Sequence, residues 1–242
     1  MSAARGGEAI TLSGPPSNTS GVAPLDSGGR AIVAITLELA AGPAIYRASV
    51  RPLGHGTSEI RLRLPADTPP GTYNGEGPFG GGPRDIVVEV EPVLRLRIHP
   101  RRTSLAAEAG ARSEFEITLV NSGNVPFDVP KQSMLDLDDA EGQDRALGRA
   151  LRAELPVGER RVDRFFEELR ADHGGEARVA VASGGVRLEP GEASELTCRL
   201  ELPLTVQEGR SYFGAWQLGN ASHLINVDIT KGRGPSIRRR PG

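Results

Sequence analysis

The sequence predicts an all-β chain made of two tandem antiparallel β-sandwiches, the second carrying a helical insertion. Three observations lead there. First, one block of sequence is written twice, about 140 residues apart. The first copy runs Ile60-Arg-Leu-Arg-Leu64-Pro65, then Gly71-Thr-Tyr73-Asn-Gly75, then Ile86-Val-Val-Glu-Val90. The second runs Leu196-Thr-Cys-Arg-Leu200-Glu-Leu-Pro203, then Gly209-Arg-Ser-Tyr212-Phe-Gly214, then Ile225-Asn-Val227-Asp-Ile229. In both, Pro precedes Gly by six positions and Tyr precedes the next Gly by two, the mark of a duplicated module. Second, short apolar runs alternate with polar residues at period two, the pattern of half-buried antiparallel strands. Third, 31 glycines and 19 prolines supply turns between short strands without reaching the composition of a disordered chain.

Taken in order, residues 1–28 are rich in Gly, Ser and Pro around a short apolar beat at Ala9 to Leu12, and read as a flexible arm or a first edge strand. The first sandwich spans 29–92. Its strongest strand is Ala31 to Leu39, β-branched and short, turned by Gly42-Pro43 into a return over Ile45 to Val50. Ile60, Leu62 and Leu64 lie on one face of the next strand, with Arg61 and Arg63 on the other. Pro92 marks the boundary, and the second sandwich spans 93–230. There Val93 to Ile98 alternates, and Glu114 to Val120 with Val125 to Val129 read as a hairpin-like pair about an Asn121-Ser-Gly-Asn124 turn.

The repeat breaks over about 131–175, which has no counterpart in the first copy and reads as helical. Leu147, Leu151 and Leu155 sit four apart, and Val162, Phe165, Phe166 and Leu169 fall on one helical face. Pro156 separates the two helices and Gly174-Gly175 ends the second. The acidic cluster Asp136, Asp138, Asp139, Glu141 and Asp144 reads as acids at a helix N-terminus, since no register meets the oxygen spacing of a Ca²⁺ loop.

Charge is nearly balanced at −2, which gives no whole-molecule case for nucleic acid or an acidic membrane. The imbalance is local: residues 231–242 hold Lys231, Arg233, Arg238, Arg239 and Arg240 and no acid, a basic tail whose Gly and Pro keep it unstructured. One cysteine rules out an internal disulfide. No apolar run approaches the ~18 residues of a membrane span, and the first residues lack the apolar core of a signal peptide. The expectation is cytoplasmic assembly or export by a non-classical route.

The alternating strand Leu62-x-Leu64, Asp67 and Gly71-Thr-Tyr73 resembles the corner between the fifth and sixth strands of immunoglobulin-like domains. That resemblance makes Tyr73 and Tyr212 corner tyrosines, each hydrogen-bonding back to the corner backbone, with Gly71 and Gly209 in the corners. Gly75 and Gly214 stand where antibody-type domains carry a cysteine, so the likeness is to disulfide-free bacterial immunoglobulin-like modules. The second copy departs at its corner, with Glu208 in place of Asp and one more residue between Gly209 and Tyr212.

Catalytic signals are missing. Cys198 takes the place of Leu62 in the repeat and shares parity with Leu196 and Leu200, which makes it a core residue rather than a nucleophile. His55, His99, His173 and His223 have neither i, i+4 spacing nor a Cys partner, so they read as surface residues with no metal. Glycines 80–82 separate two strands and are a turn, not a phosphate cradle. Tyr212 and Trp216 share a face and read as core, not as a sugar platform. The expectation is therefore a non-enzyme without cofactor, metal or small-molecule substrate, which binds protein partners, itself included. It would act as a surface, appendage, capsid or scaffold component. Arg160, Arg161 and Arg164 on the insertion, with Arg238, Arg239 and Arg240 in the tail, form the candidate interaction surface. A periplasmic-chaperone-like or carbohydrate-binding two-domain module is the alternative, and nucleic acid is disfavoured because the tail has no aromatic residue for base stacking.

Overall fold

The computed structural model describes residues 9–25, 29–80 and 82–231. Contacts divide the chain into two units: the first runs through Arg95 and takes in Asn121–Phe127 and Glu189–Glu192, and the second comprises the rest from Leu96 on.

In the first unit the alternating runs become seven strands: β1 (Ile10–Gly14), β2 (Thr19–Ala23), β3 (Ala31–Leu39), β4 (Gly42–Gly54), β5 (Thr57–Leu62), β6 (Gly71–Phe79) and β7 (Gly82–Val90). Their order is β1-β2-β5-β4-β3-β6-β7, and β1 closes the circle by pairing in parallel with β7 from Ile10–Ile86 to Gly14–Val90. Every second residue points inward, so Leu12, Ile35, Leu37, Ile60, Leu62 and Val88 are fully buried in one core. The expected open sandwich is thus a closed barrel. The cause is the two-residue turn at Ala40-Ala41, which pairs β3 with β4 over nine residues, from Leu39–Gly42 to Ala31–Val50. Thirteen-residue β4 also pairs with β5 from Ala48 to Gly54 and so joins what would have been two sheets. Within residues 1–28, where the expectation was a flexible arm or a first edge strand, β1 and β2 form, and Ile10, Leu12 and Ala23 are buried barrel residues. Residues 1–8 and 26–28 lie outside the described residues.

Ten strands and two helices make the second unit: β8 (Leu96–His99), β9 (Arg102–Ala107), β10 (Arg112–Asn121), β11 (Phe127–Asp128), β12 (Gln132–Asp139), α1 (Gly142–Arg152), α2 (Arg161–Ala171), β13 (Gly175–Ser183), β14 (Arg187–Leu188), β15 (Ala193–Glu201), β16 (Ser211–Leu218) and β17 (Ala221–Ile229). Eight strands form one continuous sheet in the order β8-β10-β15-β13-β12-β16-β17-β9, again with a parallel last pair. Without β8 this order repeats, strand for strand, the first unit's β2-β5-β4-β3-β6-β7-β1. It is also the order of an immunoglobulin-like domain, in which strands A, B, E and D form one sheet and C, F and G the other. Here the D and C strands pair as well, β13 with β12. Leu62 and Cys198 occupy the same strand of the two units, and both are fully buried. Each has a partner in the second strand (Thr19 and Phe115) and in the fourth (Ala48 and Val181).

Two further readings are corrected. The 131–175 segment is helical only over 142–152 and 161–171, because Leu135 and Leu137 alternate into the core and make 132–139 a strand. The expected hairpin about Asn121 does not form: β10 pairs with β15, and β11 pairs with β14. Asn124 instead satisfies the backbone of the first unit. Its amide nitrogen donates to the carbonyls of Thr68 and Glu91, and its oxygen accepts from Val93 N.

Candidate functional site

The helices enter the second unit where the first has its Ala40-Ala41 turn, between the third and fourth strands of the repeat. A helical pair thus replaces a two-residue hairpin turn. Its internal packing differs from the expected leucine stripe. The buried residues of α1 are Gly142, Ala146 and Ala150, while Leu147 and Leu151 are half-exposed; none of α2 is fully buried, and Phe166 is 53% exposed. Small side chains at a helix contact permit close approach, and the stripe is displaced one residue from the leucines. Phe165 and Phe166 touch each other at 5.5 Å between centroids. Val162, Phe166, Leu147, Leu151 and Val157 remain as an apolar surface on the outgrowth.

An alternating chain of charges ties the outgrowth to the sheet, and sequence reasoning missed it. Asp139, the last residue of β12, and Asp172, just past α2, have side chains only 2% and 4% exposed. Arg210, one residue before β16, bridges them, its Nη1 lying 3.0 Å from Asp139 Oδ2 and 2.8 Å from Asp172 Oδ1. Arg145 of α1 pairs with Asp139. Arg149 donates at 2.5 Å to both Asp172 and Glu168, and Glu168 also holds Arg164. Burial raises the Asp172 carboxyl, but the hydrogen bonds from Arg210 and Arg149 outweigh it and hold the group below the usual carboxylate range. The signal available in sequence was the spacing of Arg145, Arg149 and Arg152 along α1. Its partners, Asp139 and Asp172, lie outside either helix.

Of the arginines expected to form a surface, the three on the insertion each make a bond or ion pair within the chain. Arg161 Nη1 donates to the carbonyls of Ala150 and Leu151, at 3.0 and 2.7 Å, and so caps the C-terminus of α1. Arg160 pairs with Asp163 at 3.1 Å, and Arg164 with Glu167 and Glu168. Arg238, Arg239 and Arg240 lie outside the described residues. The acidic cluster is also divided: Asp136, Asp138 and Asp139 are on β12, and only Asp144 is in the first turn of α1.

At the corners, Tyr73, partly buried against the first unit's core, donates through Oη to Pro69 O at 2.7 Å. Tyr212 Oη accepts from Gln207 N at 3.1 Å and is buried. Gly71 and Gly209 both have positive φ. Two residues past each tyrosine the backbone meets its neighbour so closely that a Cβ at Gly75 would lie 2.2 Å from Thr36 O, and one at Gly214 2.2 Å from Leu135 Cδ1. These positions hold glycine because the third strand occupies the space.

An open cleft of about 660 Å³ lies beside the outgrowth, lined by Asp138, Asp144, Leu169, Arg170, His173 and Phe213. His173 Nδ1 accepts from Gly175 N at 3.1 Å, and its Nε2 lies 3.9 Å from Asp136. Among the described residues no Ser, Cys or Lys lines the cleft. Cys198 is fully buried, with burial pushing its thiol up to about 12. Among the described residues no group of three or more His, Cys, Asp and Glu is placed to hold a metal, and no helix is long and apolar enough to cross a membrane. His223, expected at the surface, is fully buried against Phe115 and bonded to Thr103 and to the Pro100 carbonyl. Of the aromatic strand, Tyr212 and Trp216 are buried and only Phe213 is exposed, at 43%.

The strand order thus defines immunoglobulin-like β-domains in tandem, with a helical pair between the third and fourth strands of the second. No protein-family model matches the chain, and no curated protein sequence does. Among solved structures, it resembles a titin fragment (11% identity, TM-score 0.32, covering 92% of this chain and 97% of that one). It also resembles the complex of Dpr11 with DIP-gamma (11%, TM-score 0.35, 93% and 97%) and a Porphyromonas gingivalis protein of unknown function (8%, TM-score 0.27, 91% and 96%).

Proposed function

We propose that the chain is a non-catalytic assembly module that meets protein partners through the outgrowth of its second unit. The observation that carries this is the exposed apolar surface of Leu147, Leu151, Val162 and Phe166, on a helical pair that buried ion pairs hold in place. An apolar surface fixed this way suits a protein contact, and the fully paired Asp139 and Asp172 leave no free acid or base beneath it. The chaperone-like reading needs an open edge strand in the first unit, and the β1–β7 pair occupies that edge. A sugar platform needs exposed aromatics, which Tyr212 and Trp216 do not supply.

A photo-crosslinking residue at position 166, compared with one at position 85 on the first barrel, tests the proposal in cells making the protein. Discrete protein adducts at 166 that the Val162→Glu change removes support it. Equal labelling at both positions, or none at 166, overturns it.

A further inference from the structure

Strand alternation fixes which residues face outward, and one outward face of each unit has a charge of its own, basic on β3–β5 of the first and acidic on β12–β17 of the second. In the first unit the register sets Ile32 beside Ser49 and Ser49 beside Arg61, and in the next row Arg51 beside Glu59. Arg47 stands on the same side of β4, and Arg63 extends that of β5. Within residues 9–95 there are seven arginines, and five of them, Arg30 included, belong to this face. Glu59 is the one acid in the patch, paired with Arg61 at 2.8 Å; Glu38 stands at the far end of β3, opposite Pro43. Among the described residues Arg47, Arg51 and Arg63 make no ion pair. At the centre lies Ile32, 73% exposed, beside a shallow groove of about 460 Å³ between Arg30, Arg51 and Arg61.

The third-strand side of the second unit is its complement. Asp136 stands beside Glu176, Asp138 beside Phe213, and Asp228 two strands away beside Ser211. Met134 and Phe213 are exposed among these acids. Arg178 is held by Glu201 at 2.8 Å, and Arg102 sits at the far edge beside Leu224. Both faces are pleated sheets, so their charges repeat at the same ~4.8 Å between strands and ~6.8 Å along them.

We infer that the arginine face of one copy docks on the acidic face of another, with Ile32 meeting Met134 or Phe213. The occupant is a second copy of this chain because the chain itself presents the matching charge and the matching apolar centre. A polyanion would answer the arginines but leave Ile32 uncovered. Contact between two different faces is heterologous and propagates into rings or filaments. The inference rests on reading the chain as an assembly module but does not use the helices, so the crosslinking at position 166 and the experiment below can fail separately.

The test is sedimentation velocity on the full chain at about 20 mM and about 0.5 M salt, conditions that differ severalfold in screening length. Wild type should grow with concentration at low salt and return to monomer at high salt. The double changes Arg47→Glu with Arg51→Glu, and Asp136→Arg with Asp138→Arg, place like charges together and should each weaken association by roughly a hundredfold or more. Circular dichroism checks that both fold. Mixed one to one, the two variants again present opposite charges at every contact, and association should return. A wild type monomeric at low salt, variants that associate as wild type does, or folded variants that stay monomeric when mixed would each overturn the inference.

Discussion

Replacing Arg210 with glutamine withdraws one cation from between two carboxylates that are nearly sealed from water. Breaking a buried ion pair costs about 3–5 kcal/mol. Two features of this site reduce that figure: the Arg210 side chain is 20% exposed, and Asp139 and Asp172 each keep a second arginine, Arg145 and Arg149. The expected loss is about 2–3 kcal/mol, or a fall of roughly 6–15 °C in melting temperature for a unit of this size. Trp216, the only tryptophan, is buried in the second unit, so its fluorescence in a urea titration reports that unit alone. The pH dependence gives a second, sharper readout. Because the folded Asp172 pKa is depressed, its contribution is complete above the unfolded carboxyl value, near 4. It is lost as pH falls through the folded value. Wild type should therefore lose stability below about pH 4 faster than Arg210→Gln, and the two curves should converge. A loss under ~1 kcal/mol, the range of an exposed pair, or a deficit unchanged between pH 7 and pH 3, would refute the reasoning.

Three other outcomes follow from the same packing. Gly75→Ala and Gly214→Ala each force a Cβ into the neighbouring strand and should cost about 1–3 kcal/mol in thermal unfolding; an unchanged melting temperature would show that the strands can part there freely. Cys198, buried with its thiol raised to about 12, should react with an aromatic disulfide at pH 8 only at the rate of unfolding, and prompt labelling in native buffer would contradict this. Burial lowers the His223 pKa against the opposing hydrogen bond to Pro100, so its stabilisation is complete above about pH 6.5 and declines as pH falls towards the folded value. His223→Gln should flatten that part of the stability curve; an unaltered slope in the Trp216 titration would assign it to other groups.

Where one residue's parity settles one residue's burial, the sequence was easy to read. Ile60, Leu62 and Leu64 against Arg61 and Arg63 gave both faces of a strand, and the Pro-Gly-Tyr-Gly spacing gave the same strand in the other unit. Closure was harder, because it depends on whether the third and fourth strands pair, and periodicity is blind to strand neighbours. The helices show the same limit. Leu147, Leu151 and Leu155 satisfy the amphipathic rule as well as Ala146 and Ala150 do, and only the partner helix decides which stripe is covered. Asp139, Asp172 and Arg210 were the least legible: each is an ordinary charged residue beside a turn, separated from its partners by up to 71 positions.

The two units also show why a duplicated sheet can keep its fold while its surfaces diverge. Inward positions are held by packing, so Leu62 and Cys198, or Gly75 and Gly214, can change little without a cavity or a collision. Outward positions on the same strands lie outside the packed core, and most substitutions there cost within about ±0.5 kcal/mol. Parity thus separates folding from recognition at every second residue. A core shared by two copies places no constraint on whether the face above it carries Arg47 and Arg51 or Asp136 and Asp138. The larger change, a helical pair in place of Ala40-Ala41, falls at a hairpin tip for the same reason. That position leaves the flanking strands in register, and the added cost of ordering the helices is met locally by the ion pairs that join Asp139 and Asp172 through Arg210.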